Sequence, residues 1–323
     1  MTTPAYTLIV NESDSAAFEI LADGKGEITP ILKDATVLAA FFEKRLPEYH
    51  LDEGFVLAVL LRRKWLIRRH PEHEQVFRRL FSGKEICLDR LVLAGERSRF
   101  ADKTRASLEG LMFKTRRIRD REWPVEALST VFPDGISLLI TFEPRSLFKG
   151  ASLLFKELSD FFVRAASTGK EKLSSSDLAF LQHLDKEWIT TVHRSVRERG
   201  RPKFVLVDMD TPGVVELPSL REFAARVGAW FRGIGLLENL RYACSTPCGG
   251  VHLVFEINRR AEEKIFRCSE EFRRDLAEIM RPYAGKMALE DIEIKTGQVL
   301  THVPGVNPYV KDLTATVQKG GEA

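Results

Sequence analysis

The segment that most restricts the fold is residues 204–210, FVLVDMD, an apolar run that ends in two acids. Successive side chains of a strand alternate faces, so Asp208 and Asp210 point one way while Val207 and Met209 point into the opposite layer. Downstream, Ser219-Leu220-Arg221-Glu222 has capping-box spacing for a helix running to about Gly233. Residues 240–245 and 251–257 read as two antiparallel strands around the turn Thr246-Pro247-Cys248-Gly249-Gly250. A charged amphipathic helix over about 261–280 follows, then short strands at 291–295 and 299–303. The order strand, helix, two strands, helix, strand is the ferredoxin-like split arrangement.

Upstream, residues 136–142 (ISLLITF) form a short apolar run bounded by Pro133-Asp134-Gly135 and Pro144, the pattern of a buried strand. Helices are predicted over 147–166 and 174–200, the second capped by Asp177 or a neighbouring serine and stopped by Gly200 and Pro202. Residues 6–10 and 27–32 read as short strands. From about 35 to 121 the pattern reads as helical: Phe55, Val56, Val59, Leu60, Trp65 and Leu66 cluster between LRRK and IRRH as in an arginine-rich amphipathic helix. The change of character near Trp123-Pro124 divides the chain into a mainly helical, basic N-terminal region (1–123) and an α+β region (124–323).

The chain's 323 residues are enough for two domains. With 44% hydrophobic and 29% charged residues it reads as an ordinary globular protein rather than a disordered one. No apolar run is long enough to span a membrane, and residues 1–20 lack the pattern of a signal peptide. Four scattered cysteines (Cys87, Cys244, Cys248, Cys268) fit a reducing compartment. A cytoplasmic protein without membrane association is the expectation. The net charge of +3 hides an asymmetry: residues 61–121 hold eighteen Lys/Arg against eight Asp/Glu, a surplus of ten that leaves −7 for the rest. A concentrated basic region can supply phosphate contacts to nucleic acid, although a solvated, arginine-rich helix face gives the same composition.

The chemistry-bearing residues fall into three groups. Asp208 and Asp210, about 7 Å apart at twice the strand rise, can jointly hold Mg²⁺ or Mn²⁺, hard cations that prefer oxygen ligands. An acidic strand end is also common as a solvated edge. In STPCGGVHLVFE, Gly249-Gly250 permits close backbone approach to a ligand, and His252 opens an otherwise apolar strand, placed to contact a triphosphate or to serve as a structural histidine. In LEDIEIKTGQ, Asp291, Glu293 and Lys295 share a face, so Glu293 can complete a three-carboxylate site while Lys295 neutralises phosphate. An exposed edge strand shows the same alternation.

Taken together, VLVDMD, STPCGGVHLVFE and IEIKTG resemble the three motifs of the archaeo-eukaryotic primase superfamily. The resemblance covers residues 124–311. It implies an RRM-like (ferredoxin-like) catalytic sheet with an α/β lead-in unit, and a primase or polymerase that joins nucleotides on a single-stranded DNA template by a two-metal mechanism. Residue by residue it implies Asp208, Asp210 and Glu293 as catalytic metal ligands for Mg²⁺ or Mn²⁺, with Glu290 and Asp291 as competing third acids. It implies His252 on the nucleoside triphosphate, where Ser245, Gly249, Gly250 and Lys295 are expected beside it. TFEPRS (141–146) is similar to a strand-NPR-helix element of some members, making Arg145 a candidate substrate contact, with Glu143 where those relatives carry asparagine. THVPGV is similar to a Pro-Gly segment that follows the third motif in some members. The basic runs 62–69 and 114–121, with Arg62, Arg63, Lys64 and Arg116, Arg117, Arg119, are expected on the template backbone. No helicase motif is present, so unwinding falls to a separate helicase or to replication or defence proteins.

Three rival readings stay open. A primase-like module without catalysis would only bind nucleic acid or partner proteins. A metal-dependent nuclease also uses D-x-D with a downstream acid. Cys244, Cys248 and His252 have C-x₃-C-x₃-H spacing that superficially suits zinc. His70-Pro-Glu-His73 reads as a loop, because its proline breaks the helix that would align two histidines.

Overall fold

The computed structural model describes residues 4–10, 18–25, 30–69, 71–81, 83, 85–118, 121–168, 174–195, 203–210, 220–233, 238–257, 270–271, 274–275, 277–278, 292–296 and 299–318. The chain opens with an antiparallel hairpin of β1 (Pro4–Val10) and β2 (Phe18–Lys25), then α1 (Ala35–Lys44). Strand β3 (Glu53–Arg62) runs directly into α2 (Arg63–Arg69) and α3 (Glu74–Leu80), and β4 (Glu85–Ala94) returns beside it. Helix α4 (Phe100–Leu111) leads into a ribbon of β5 (Thr115–Ile118) and β6 (Arg121–Pro124). Helix α5 (Val125–Val131), β7 (Ile136–Thr141) and the two-residue β8 (Arg145–Ser146) follow. Three helices come next: α6 (Leu147–Thr168), α7 (Ser175–Gln182) and α8 (Leu184–Arg194). The last part holds β9 (Lys203–Met209), α9 (Leu220–Gly233), β10 (Glu238–Ser245), β11 (Val251–Ile257), β12 (Ile292–Thr296), β13 (Leu300–Val303) and α10 (Thr314–Gln318).

The protein is a mixed α and β fold built on antiparallel sheets, an α+β architecture. One sheet has the order β13-β7-β3-β4, with β8 added to β3; the other has the order β10-β11-β9-β12. Within the second sheet, the first strand in sequence sits between the third and the fourth. The predicted elements at 136–142, 147–166, 240–245, 251–257, 291–295 and 299–303 form within a residue or two. The helix expected over 174–200 breaks at His183 into α7 and α8, and Ser174 caps α7 in a capping box with Asp177. The helix expected over 261–280 lies largely outside the described residues. Among the described residues no helix is long and apolar enough to cross a membrane.

The mainly helical reading of residues 1–123 is corrected. Residues 53–62 (EGFVLAVLLR) are the central strand β3, paired with β4 on one side and β7 on the other. Phe55, Leu57, Val59 and Leu61 enter the main core and Leu60 packs on Trp65 and Leu139, so both faces are covered. A strand buried on both faces loses its polar alternation and looks like any continuous apolar run, which periodicity does not separate from a buried helix. Of the second predicted strand, residues 30–32 are not strand and 27–29 lie outside the described residues; β2 stands earlier, at Phe18–Lys25. The 1–123/124–323 division does not separate two sheets, because β3 and β4 share theirs with β7 and β13.

The faces of β9 explain how the two sheets meet. Val205, Val207 and Met209 pack with Leu220, Phe223, Val227 and Phe231 of α9. Phe204 and Leu206 point the other way, into the main core, where Phe142 stands 5.3 Å from Phe204 and Tyr242 stacks on Phe142. The Tyr242 hydroxyl donates to the His302 carbonyl at 3.0 Å, tying β10 to β13. Leu206 is fully buried at this junction. Leu206→Ala should cost about 2–5 kcal/mol, measured by urea denaturation; a change below about 0.5 kcal/mol would mean that the two sheets do not share one core.

Candidate active-site cleft

Asp208 continues the series Phe204, Leu206, so it emerges where the shared apolar core ends. In register it faces His252 of β11 on one side and Glu293 of β12 on the other. His252, Asp208 and Glu293 thus form one rung across three strands, although they lie far apart in sequence. Lys295, two residues along the same face of β12, donates to Asp208 Oδ2 at 2.8 Å and lies 2.7 Å from Glu293 Oε2. The buried Oδ1 of Asp208 is 3.2 Å from His252 Nε2 without a well-aligned hydrogen bond. Burial works against ionisation of Asp208, but His252 and then Lys295 outweigh it and hold the carboxyl well below the usual carboxylate range. Partial burial likewise opposes the charge on Lys295, and Asp208 and Glu293 more than offset it, so its pKa is raised.

The opposite wall comes from the N-terminal part of the chain. As β3 ends, α2 carries its basic side chains over the acidic end of β9. Lys64 Nζ donates to the Asp210 carboxylate, and Arg68 donates to the Asp210 carbonyl at 3.1 Å. The Arg62 guanidinium lies 4.8 Å from the Trp65 ring centre, Trp65 is 5.1 Å from the His302 ring, and His302 is 4.9 Å from His252. This row of planar groups runs from α2 to the rung. His252 Nδ1 is 3.3 Å from Thr301 Oγ1, and His302 Nδ1 is 2.9 Å from Ser137 Oγ. Burial, with the nearby His252 and Arg62, pushes the pKa of His302 well below its ordinary value, so this ring stays neutral. The resulting cleft has a volume of about 400 Å³ and, among the described residues, gathers Arg62, Arg63, Lys64, Arg68, Arg78 and Lys295 against Asp208, Asp210 and Glu293. Its balance of charge is positive despite the carboxylates, which suits a polyanion.

The structure therefore brings together Asp208, Asp210, His252, Glu293, Lys295, Arg62, Arg63 and Lys64. Other expected residues serve different ends. Ser245 donates to the Tyr309 carbonyl at 2.6 Å and accepts from the Lys311 amide at 2.8 Å, so its hydroxyl anchors the 309–311 segment instead of a nucleotide. Gly249 takes a positive φ of 80°, and a Cβ on Gly250 would fall 2.0 Å from the Met209 carbonyl oxygen. These glycines let the turn cross the end of β9, which is a packing requirement. Arg145 is 1% exposed and donates to the Ser195 carbonyl at 3.2 Å, fastening the end of α8, while the neighbouring Glu143 pairs with Lys203 at 3.3 Å. It is not a substrate contact in this arrangement. Arg116 donates to the Leu88 carbonyl, and Arg116 and Arg117 on β5 do not line the cleft. Arg119, Glu290 and Asp291 lie outside the described residues.

Sequence reasoning missed Trp65, Arg78, Thr301 and His302 as parts of this site, and placed Arg68 only within the basic run 62–69 expected on the template. His302 sits in the THVPGV segment and Arg68 in the basic run after β3, so both segments were noticed but not their destination. Among the described residues the zinc pattern does not form a site. Cys244 faces His252 in register, yet its sulfur lies 3.7 Å from Thr301 Oγ1 and burial pushes its thiol up to about 12. Cys248 packs instead with Leu60, Trp65 and Leu139.

Among the described residues no group of three His, Cys, Asp or Glu converges closely enough to hold a metal ion. The oxygen donors of Asp208, Asp210 and Glu293 nevertheless have the chemistry for a hard divalent cation. Asp208 is held ionised and keeps one buried oxygen without a good hydrogen bond, which fits that role. The ammonium groups of Lys295 and Lys64 now neutralise the acids, and a cation has to displace these flexible ends. Asp208 adds stability above the ordinary carboxylate pKa of about 4, and that contribution fades as pH falls toward its depressed folded value. Asp208→Asn, followed by urea denaturation in a chelator from pH 7 into acid, should lower stability at pH 7 and converge on wild type at low pH. A constant difference at every pH would contradict this assignment. No protein-family model, curated protein or solved structure matches the chain.

Proposed function

We propose that this chain is a nucleotidyltransferase of the primase-polymerase type, built on an RRM-like sheet and acting along a single-stranded DNA template. The observation that carries the reading is the rung His252–Asp208–Glu293, with Asp210 at the strand end, set against the cationic wall of α2 in one cleft. The order β10-β11-β9-β12, with α9 on one face and the acids on the other, supports the RRM-like assignment.

In this reading each side chain has a definite task. Lys64, Arg68 and Arg63 neutralise the charge of a bound triphosphate, and His252 Nε2 lies beside the acids where it can donate to a phosphate oxygen. The Thr301 hydroxyl and the ring of neutral His302 fix the imidazole in place, so that little reorganisation accompanies binding. Divalent Mg²⁺ or Mn²⁺ held by Asp208, Asp210 and Glu293 would supply Lewis acidity to the attacking hydroxyl and the leaving pyrophosphate. Arg62, Arg63 and Lys64, expected on the template, are assigned here to the nucleotide side. Arg116 and Arg117 remain with the template backbone.

A second reading rests on the lysines. Lys295 joins Asp208 to Glu293 and Lys64 covers Asp210, so the acids are already neutralised, as in a module that binds nucleotide or nucleic-acid phosphates without turnover. Labelled-nucleotide incorporation on single-stranded DNA, with Mg²⁺ or Mn²⁺ and with or without a primer, separates the two. Product is expected from wild type and should drop by about 100-fold or more in the Asp208→Ala/Asp210→Ala variant. Folded wild type that binds DNA and yields nothing with either metal would leave the binding module as the function.

A further inference from the structure

Helix α6 has two apolar faces, and α8 covers one of them. Their crossing is close: a Cβ on Gly150 would lie 2.7 Å from the Val192 side chain, and Phe161 on the same side is 3% exposed. The far side exposes Phe148, Phe155 and Phe162 at 73%, 71% and 60%. These rings are seven residues apart, so they drift by only about 20° per step and form a line along the helix. Four residues after each comes a small exposed residue: Ser152, Ser159 and Ala166. The face therefore alternates large and small along about 27 Å of helix.

That alternation is complementary to itself. An antiparallel second copy, related by a two-fold axis level with residue 157, sets Phe148 opposite Ala166, Ser152 opposite Phe162 and Phe155 opposite Ser159. Each ring then meets a small residue and the two rows interdigitate. A parallel copy in register opposes ring to ring. The area agrees with a dimer of modest strength. Three rings at this exposure present on the order of 400 Å², near the size of the largest patch on an ordinary monomer. With Val163, 66% exposed beside them, two copies would bury about 1,000 Å², the lower bound for a specific interface.

We infer that the outer face of α6 is a homodimer surface, on which two copies of this chain pair antiparallel with each phenylalanine seated over a serine or alanine of the other. This does not depend on the catalytic reading, because none of these residues lines the cleft. Sedimentation velocity of the full chain from about 1 to 100 µM should show a reversible monomer–dimer equilibrium. Phe155→Asp should weaken it by at least about 100-fold while leaving the circular dichroism unchanged, since the ring is exposed. Ser159→Arg keeps every ring and fills the space opposite Phe155, so it should weaken the dimer as well. A wild type that stays monomeric throughout overturns the proposal, as does a dimer insensitive to both variants. Loss with Phe155→Asp but not with Ser159→Arg overturns the antiparallel register.

Discussion

Everything in the cleft depends on the alternation of faces along β9. Its odd-numbered side chains are committed to α9 and its even-numbered ones to the core shared with the other sheet. That core is apolar at Phe204 and Leu206 and stops abruptly, so the next even position, Asp208, is almost buried yet borders open space. A carboxylate there is costly unless compensated. Compensation comes from both neighbouring strands, through His252 directly opposite on one side and Lys295, two residues along from Glu293, on the other. A slip of one residue in either pairing would turn these partners to the α9 side and leave Asp208 alone. The rung is thus a consequence of register, and the register is enforced by the apolar residues packed on both faces of the sheet.

The second wall follows from a connection elsewhere. Strand β3 is the centre of its own sheet, and because it passes into α2 without an intervening loop, the direction of that helix is fixed by a rigid element. The basic side chains of α2 therefore meet the end of β9 at a defined place. Trp65 transmits this placement inward: it packs on Leu60 and Leu139 and lies against His302, and His302 in turn abuts His252. Positive charge concentrated at such a wall raises the local concentration of anions. It also explains why the carboxylates of β9 and β12 are found paired with lysines, since the site must balance its own charge.

The motif residues were readable in the primary structure because strand periodicity is local. FVLVDMD, the hairpin before His252 and the alternating Glu293 and Lys295 each follow from a few adjacent residues, and the helix after Asp210 was signalled by its capping spacing. Residues 53–62 were misread for an equally local reason: burial on both faces erases the alternation. Ser245 and Arg145 were misassigned because type and position in a motif do not reveal a side chain's partner. Both are consumed by backbone carbonyls, of Tyr309 and Ser195 respectively.

By itself, then, the sequence determined the strands and helices around the acids, the faces on which the candidate residues lie and the uneven distribution of positive charge. These depend on periodicity and composition, which are encoded within a few turns of chain. Only the tertiary structure decided that Asp208, His252 and Glu293 share one rung, that α2 of the N-terminal part closes over Asp210, and that His302 and Thr301 hold the imidazole. These contacts join residues that are tens to hundreds of positions apart, and they are selected by the packing of two sheets around a common core.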